Sequence, residues 1–209
     1  FRLKILGGDT NEGKELVITF SLFGASEKIV SRKGAKTNHV IIASGPFGYT
    51  GAGFAILLKN KKSSKKFGAK AKSAVLKPRC RLMFGLKNKN YFSSSMDSSD
   101  GLSTTLNEMS SQSKKKFVIT TMPSENDIFD FSNSNRLSAN DLIFNGGEEY
   151  EIVATVNTSN LTRIKKYSKK HQIKLYEIGY VTKGSGVFYK KDGKLIRIKD
   201  KGWQHLQKS

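Results

Sequence analysis

The sequence is poor in cysteine, histidine and acid. Cys80 is the one cysteine in 209 residues, so no internal disulfide can form, which suits a reducing cytoplasm. His39, His171 and His205 are scattered, and no Cys/His cluster suggests a structural zinc. No apolar run reaches the length of a membrane span. The opening Phe1-Arg2-Leu3-Lys4-Ile5 is interrupted by a Gly-Gly-Asp turn and does not read as a signal peptide. With no initiator methionine, the chain is expected to be part of a longer protein. At 37% hydrophobic and 26% charged, it is long enough for one large domain, or one and a half, with a real core.

Acid is outnumbered: 17 Asp and Glu face 37 Lys and Arg, a net charge of +20. Such a surplus attracts nucleic acid, acidic surfaces or phosphorylated small molecules. The lysines fall in short runs, at Lys59–Lys72, Lys114–Lys116, Lys165–Lys170 and Lys190–Lys201. Only the first is dense, and it lacks the aromatic interleaving of a surface that stacks single strands. A solvated lysine-rich surface is therefore preferred to a nucleic-acid interface, and a basic nucleic-acid-binding protein is kept as an alternative.

The most informative stretch is Met96–Leu102, Met-Asp-Ser-Ser-Asp-Gly-Leu. Leu102, Leu106 and Met109 follow at the spacing of one helix face. Asp97–Gly101 thus reads as a turn opening a helix, with Asp97 and Asp100 at its N-terminal end. Free N–H groups and the positive end of the helix dipole make that a place for anions. Two carboxylates beside a phosphate need cations between them, and Mg²⁺ is the usual one. The competing reading is Ser98 or Ser99 as a helix cap, with the acids favouring the dipole.

Elsewhere, Leu16–Phe23 is apolar and β-rich and reads as a buried strand. Short strands are expected at His39–Ala43, Lys116–Thr121, Ile152–Val156, Lys174–Gly179, Val187–Lys190 and Leu195–Ile198. The last two meet at Asp192-Gly193, a hairpin turn. Helices are expected at Tyr49–Lys59, with close packing at Gly51 and Gly53, and at Leu161–His171. Ser44-Gly45-Pro46-Phe47-Gly48 lacks the ending of a phosphate-binding P-loop and is taken as structural. Lys59–Lys72 reads as a helix end and linker, and Ser124–Asn140 as a long surface loop with a short helical turn.

Gly7-Gly8-Asp9-Thr10, Arg32-Lys33-Gly34-Ala35, Gly146-Gly147-Glu148-Glu149-Tyr150-Glu151 and Gly202-Trp203-Gln204-His205 flank the central motif in order. Together they resemble the thiamine-monophosphate kinase family, of the ATP-binding superfamily that includes aminoimidazole ribonucleotide synthetase. The resemblance implies an α+β fold, a mixed sheet with helices packed on one face. It implies ATP-dependent phosphorylation of thiamine monophosphate with Mg²⁺, in a cytoplasmic homodimer with no membrane partner. Asp9, Asp97 and Asp100 would hold metal; Gly8, Arg32 and Ser99 would touch ATP; Glu148 and Trp203 would hold the thiamine moiety. No side chain is implied as a general base.

Residues 1–25 would be the final strand of an N-terminal ATP-binding and dimerisation domain mostly absent from the chain. Residues 26–209 would be the C-terminal domain. Leu16–Phe23 is then expected to lack a full set of neighbours here. Two departures stand out: Thr105 replaces a second acid of the central motif, and Glu149 replaces the family's Asp. With Thr105 and the missing domain, a non-catalytic nucleotide-binding relative remains a further alternative.

Overall fold

The computed structural model describes residues 4–202. Its sheet has the order β2-β4-β1-β5-β3-β6-β7. The strands are β1 (Val40–Ala43), β2 (Phe92–Asp97), β3 (Lys116–Ile119), β4 (Ile152–Val156), β5 (Tyr176–Thr182), β6 (Gly186–Lys191) and β7 (Lys194–Arg197). Neighbours run antiparallel except β3 and β6, which are parallel. The hairpin between β6 and β7 turns at Asp192 and Gly193, both with positive φ (49° and 78°). That backbone matches the twist of the flanking strands.

Side chains alternate across each strand, and β1 shows what that demands. Ile41 and Ala43 join the larger core, while Ile42 belongs to a second cluster. The larger core is roofed by α1 (Tyr49–Lys59), α2 (Lys65–Leu76), α4 (Leu102–Ser113), α5 (Asn126–Ser134) and α6 (Ala139–Asn145). The α+β mixed sheet is thus as expected, with most helices on one face. The other face is covered in part, because Ile42, Ala154 and Val156 also need burial. Phe84 of α3 (Leu82–Asn88) and Leu161 and Ile164 of α7 (Thr158–Lys170) provide it.

Helix α4 is set by Leu102, Leu106 and Met109, all fully buried. Each such side chain contributes roughly 1.5–3 kcal/mol by leaving water. Gly51 packs its backbone within reach of Leu142, and Gly53 meets Ala71 of α2, so the small residues of α1 do allow close contact.

Three expectations are corrected. Leu16–Phe23 forms no strand within the chain, and every residue from Lys4 to Ile29 is exposed. Its apolar side chains find nothing here to bury against, and an isolated strand leaves its N–H and C=O groups unpaired. The expected shortage of neighbours is what the structure shows. Lys59–Lys72 is not a helix end and linker, because Ser64 caps a separate helix, α2, through the Phe67 amide. Its Phe67 and Ala71 are buried, four residues apart, and the lysines turn outward. Ser124–Asn140 is no long loop, because Ile128 and Phe131 anchor α5 and Ser138 caps α6.

Gly179 lies on β5 where the pairing with β1 shifts register, opposite Ile41 and Ile119. A Cβ there would overlap the Val118 carbonyl oxygen. Gly179→Ala is expected to lower unfolding free energy by about 2 kcal/mol or more, measured by chemical denaturation. An unchanged midpoint would mean that the strands shift apart without cost.

Candidate functional site

Two of the sequence motifs come together at the end of the sheet. β2 ends at Asp97, the chain turns through Ser98–Gly101, and α4 begins. The loop of residues 146–151 enters β4 alongside. Glu148 N donates to Ser99 O at 2.6 Å, Tyr150 N to Ser98 O at 2.9 Å, and Ser98 N to Glu151 O at 2.9 Å. Gly147 and Gly101 permit the approach: a Cβ on the first would lie 3.2 Å from Ser99 O, and on the second 3.0 Å from Phe144 O.

Asp97 is exposed, and Asp100 and Ser99 are half-buried. The N-cap of α4 is Gly101, with no side-chain capping bond, so neither Ser98 nor Ser99 caps this helix. Buried Thr105 places its hydroxyl 3.1 Å from Gly101 O and 3.4 Å from Asp97 O. Thr105 therefore ties the helix to the strand end that carries Asp97. No described hydrogen bond or ion pair engages either Asp carboxylate, leaving hard oxygen donors free.

The four acidic-motif residues alternate. Glu148 faces solvent, Glu149 is buried, Tyr150 is half-buried and Glu151 is buried. Tyr150 Oη donates to Glu148 Oε2 at 2.5 Å. That bond, burial, and the charges of Glu148, Asp97 and Asp100 push the phenol up to about 12. Asp97, Asp100 and Glu148 thus form one region of negative potential in a basic protein.

Glu149 reaches the N-terminus of α1. Thr50 Oγ1 donates to Oε1 at 2.7 Å and Gly48 N at 3.4 Å, while Oε2 has no partner. Burial pushes this carboxyl up to about 8, since a half-bonded carboxylate is costly away from water.

The remaining expected residues are less gathered. Arg32 runs beside α4, exposed, with Glu108 4.0 Å away. An exposed pair at that distance contributes little, so the guanidinium is available. Gly8 and Asp9 lie in the exposed N-terminal stretch; among the described residues Asp9 accepts from Thr10 N and Asn11 Nδ2. The structure does not bring Asp9 to Asp97 and Asp100, and among the described residues no group of three possible metal ligands forms. Trp203 and His205 lie outside the described residues. Gly202, before Trp203 in sequence, has no room for a Cβ beside Asp100 O and Thr104, and Asp200 accepts from Thr104 at 2.6 Å. The chain thus arrives at the start of α4 immediately before Trp203. Sequence reasoning missed Glu149, Tyr150, Glu151 and Arg81 as residues that shape the site.

The AIR synthase related protein family, C-terminal domain, matches residues 36–191. The chain belongs to this family. Among relatives of this family member, a thiamine-monophosphate kinase of Nitrosopumilus maritimus is 55% identical over 99% of this chain and 66% of its own length. One from Pyrococcus horikoshii is 30% identical over 99% of this chain and 63% of its own. The chain therefore spans about two thirds of the length of the curated relatives it matches. A solved structure, AaThiL complexed with AMPPCP and TMP, superposes with a TM-score of 0.70 and 27% identity, covering 87% of this chain and 55% of that one. A hydrogenase maturation protein, HypE of E. coli, shares the fold at a TM-score of 0.66 and 16% identity, covering 82% of this chain and 52% of its own.

The Glu149 environment of this AIR synthase related domain generates a pH prediction. Folded, the carboxyl keeps its proton up to about 8; unfolded, it loses it near 4.5. Between those values the folded state binds more protons, so stability is full below the window and falls as pH rises through it. Glu149→Gln removes the titration and is expected to flatten the fall of Tm with pH across that window. Identical slopes for wild type and variant would show that Glu149 ionises normally.

Proposed function

We propose that the protein containing this chain transfers the terminal phosphoryl group of ATP to thiamine monophosphate, giving thiamine diphosphate. The observation that carries the reading is the three-bond junction of the Asp97–Asp100 loop with the Gly147–Glu151 loop. It sets a carboxylate pair suited to metal and phosphate beside a separate exposed carboxylate, Glu148. The thiamine-monophosphate kinases to which the chain is similar support the substrate assignment.

Residues 1–25 are then the end of a preceding domain that holds much of the nucleotide and the dimer interface, and residues 26–209 are the C-terminal domain. Asp97 and Asp100 fit Mg²⁺: their oxygens are unengaged, and this metal takes one or two carboxylates together with substrate phosphates. Asp9 would join them only through the preceding domain. When bound, Mg²⁺ offsets the charge of the transferring phosphates. The cytoplasm is the setting we assign.

The chain's own residues act by positioning and charge. Arg32, a planar fork, pairs with phosphate oxygens. Gly8 and Ser99 let backbone and hydroxyl approach ATP. Glu148, with one oxygen committed to Tyr150, offers the other to the cationic thiamine ring, and Trp203 supplies an aromatic face for it. A substrate phosphate oxygen attacks the terminal phosphorus in line while the bridging oxygen leaves with ADP. The attacking oxygen of the substrate phosphate is already anionic, so no side-chain base is required.

Asp97→Asn keeps the size and removes the charge. In the full-length protein, turnover of ATP with thiamine monophosphate is expected to fall by orders of magnitude while Tm hardly changes. Turnover and Tm, each with and without Mg²⁺, check this; undiminished turnover with the same Mg²⁺ dependence would overturn the metal assignment.

A further inference from the structure

Glu149 and Glu151 are buried carboxyls that no step above uses, and Arg81 lies outside every recognised motif. The loop they serve has an unfavourable backbone. Gly147, Glu148 and Tyr150 have φ of 70°, 61° and 52°, and side-chain-bearing residues persist in that left-handed region only where surroundings hold them. One side of the loop is held by its bonds to Ser98 and Ser99. The other side is held by the two inward-pointing carboxyls.

Glu151 has the fuller set of bonds. Arg81 Nε donates to Oε2 and its Nη2 to Oε1, both at 2.7 Å. Ser44 Oγ adds a bond to Oε2 at 2.6 Å and accepts from Ile152 N at 2.8 Å. Gly45 has no Cβ because one would overlap this carboxylate. The Ser-Gly-Pro loop after β1 is thus the seat of Glu151, and Arg81, from the link between α2 and α3, closes it. Glu148 faces solvent and Glu151 is buried, so holding Glu151 anchors the downstream end of the turn that displays Glu148.

We propose that Arg81 is a positioning residue for the thiamine side of the site: its two-bond hold on Glu151 sets where Glu148 stands relative to the Asp97–Asp100 loop. Recognition of the substrate ring, and not of ATP, then depends on it. The inference deepens the kinase reading and rests on it for the substrate.

Arg81→Lys in the full-length protein keeps the charge and loses the fork. Hydrogen exchange followed by mass spectrometry, without ligands, is expected to show protection of segments 98–100 and 147–151 falling roughly tenfold, the scale of one weakened charge-assisted bond. Segments in β3 and β6 should not change. KM for thiamine monophosphate should rise by a similar factor, with KM for ATP unchanged. Unaltered exchange in the two segments, or a uniform rise along the chain with both KM values raised together, would overturn the proposal. Should Arg81→Lys fail to fold, Glu151→Gln, which keeps the size and weakens the same two bonds from Arg81, gives the same test. Absence of wild-type turnover with thiamine monophosphate would defeat the kinase reading alone, and the exchange result would still decide the hold on the loop.

Discussion

Three backbone hydrogen bonds join Ser98 and Ser99 to Glu148, Tyr150 and Glu151, and the geometry of the site depends on them. Without them the end of β2 and the loop before β4 would be two separate surface turns. Backbone bonds fix register whatever the side chains do, so the two loops stay side by side. The bonds need glycine at 101 and 147 for close approach. They also need the turn at 147–150 to be held in its left-handed form. The buried core beneath, from Leu102, Leu106 and Met109, gives α4 a rigid base from which Asp100 is displayed.

Charge is arranged against the grain of the whole molecule. A chain of net charge +20 keeps a small negative region at Asp97, Asp100 and Glu148, close enough to raise the Tyr150 phenol. Most lysines of α2 and α7 lie on solvent faces opposite Phe67, Ala71, Leu161 and Ile164, which accounts for them as helix surface. Buried acid is treated differently at two neighbouring positions. Glu151 is matched by Arg81; removing one partner of such a pair typically costs about 3–5 kcal/mol. Glu149 has no cation among the described residues, and burial pushes its carboxyl up.

Much of this was legible in the sequence. The spacing of Leu102, Leu106 and Met109 located α4, and Asp192-Gly193 located its hairpin, because periodicity and left-handed turns leave local marks. The pairing of the Met96–Leu102 and Gly146–Glu151 stretches carried no such mark, since backbone bonds between distant loops are independent of residue type. Arg81 and Ser44 were silent for a related reason: a bond to a carboxylate 70 or 107 residues away has no local signature. Leu16–Phe23 looked like a strand because its composition is that of one. Composition records what a segment can pair with, and its partner is not among the described residues. Lys59–Lys72 and Ser124–Asn140 hid helices because lysine and asparagine dominate their exposed faces, while one or two apolar residues per turn do the packing.

The central claim is that metal, phosphates and thiamine meet at the junction of these two loops. Paramagnetic broadening by Mn²⁺ in place of Mg²⁺ tests it most directly. It would be measured on the full-length protein with a non-hydrolysable ATP analogue and thiamine monophosphate. Amide signals of residues 97–101 and 147–150 should broaden together, with β6 and β7 unaffected. Broadening that spares one of the two loops, or centres elsewhere on the chain, would contradict the account.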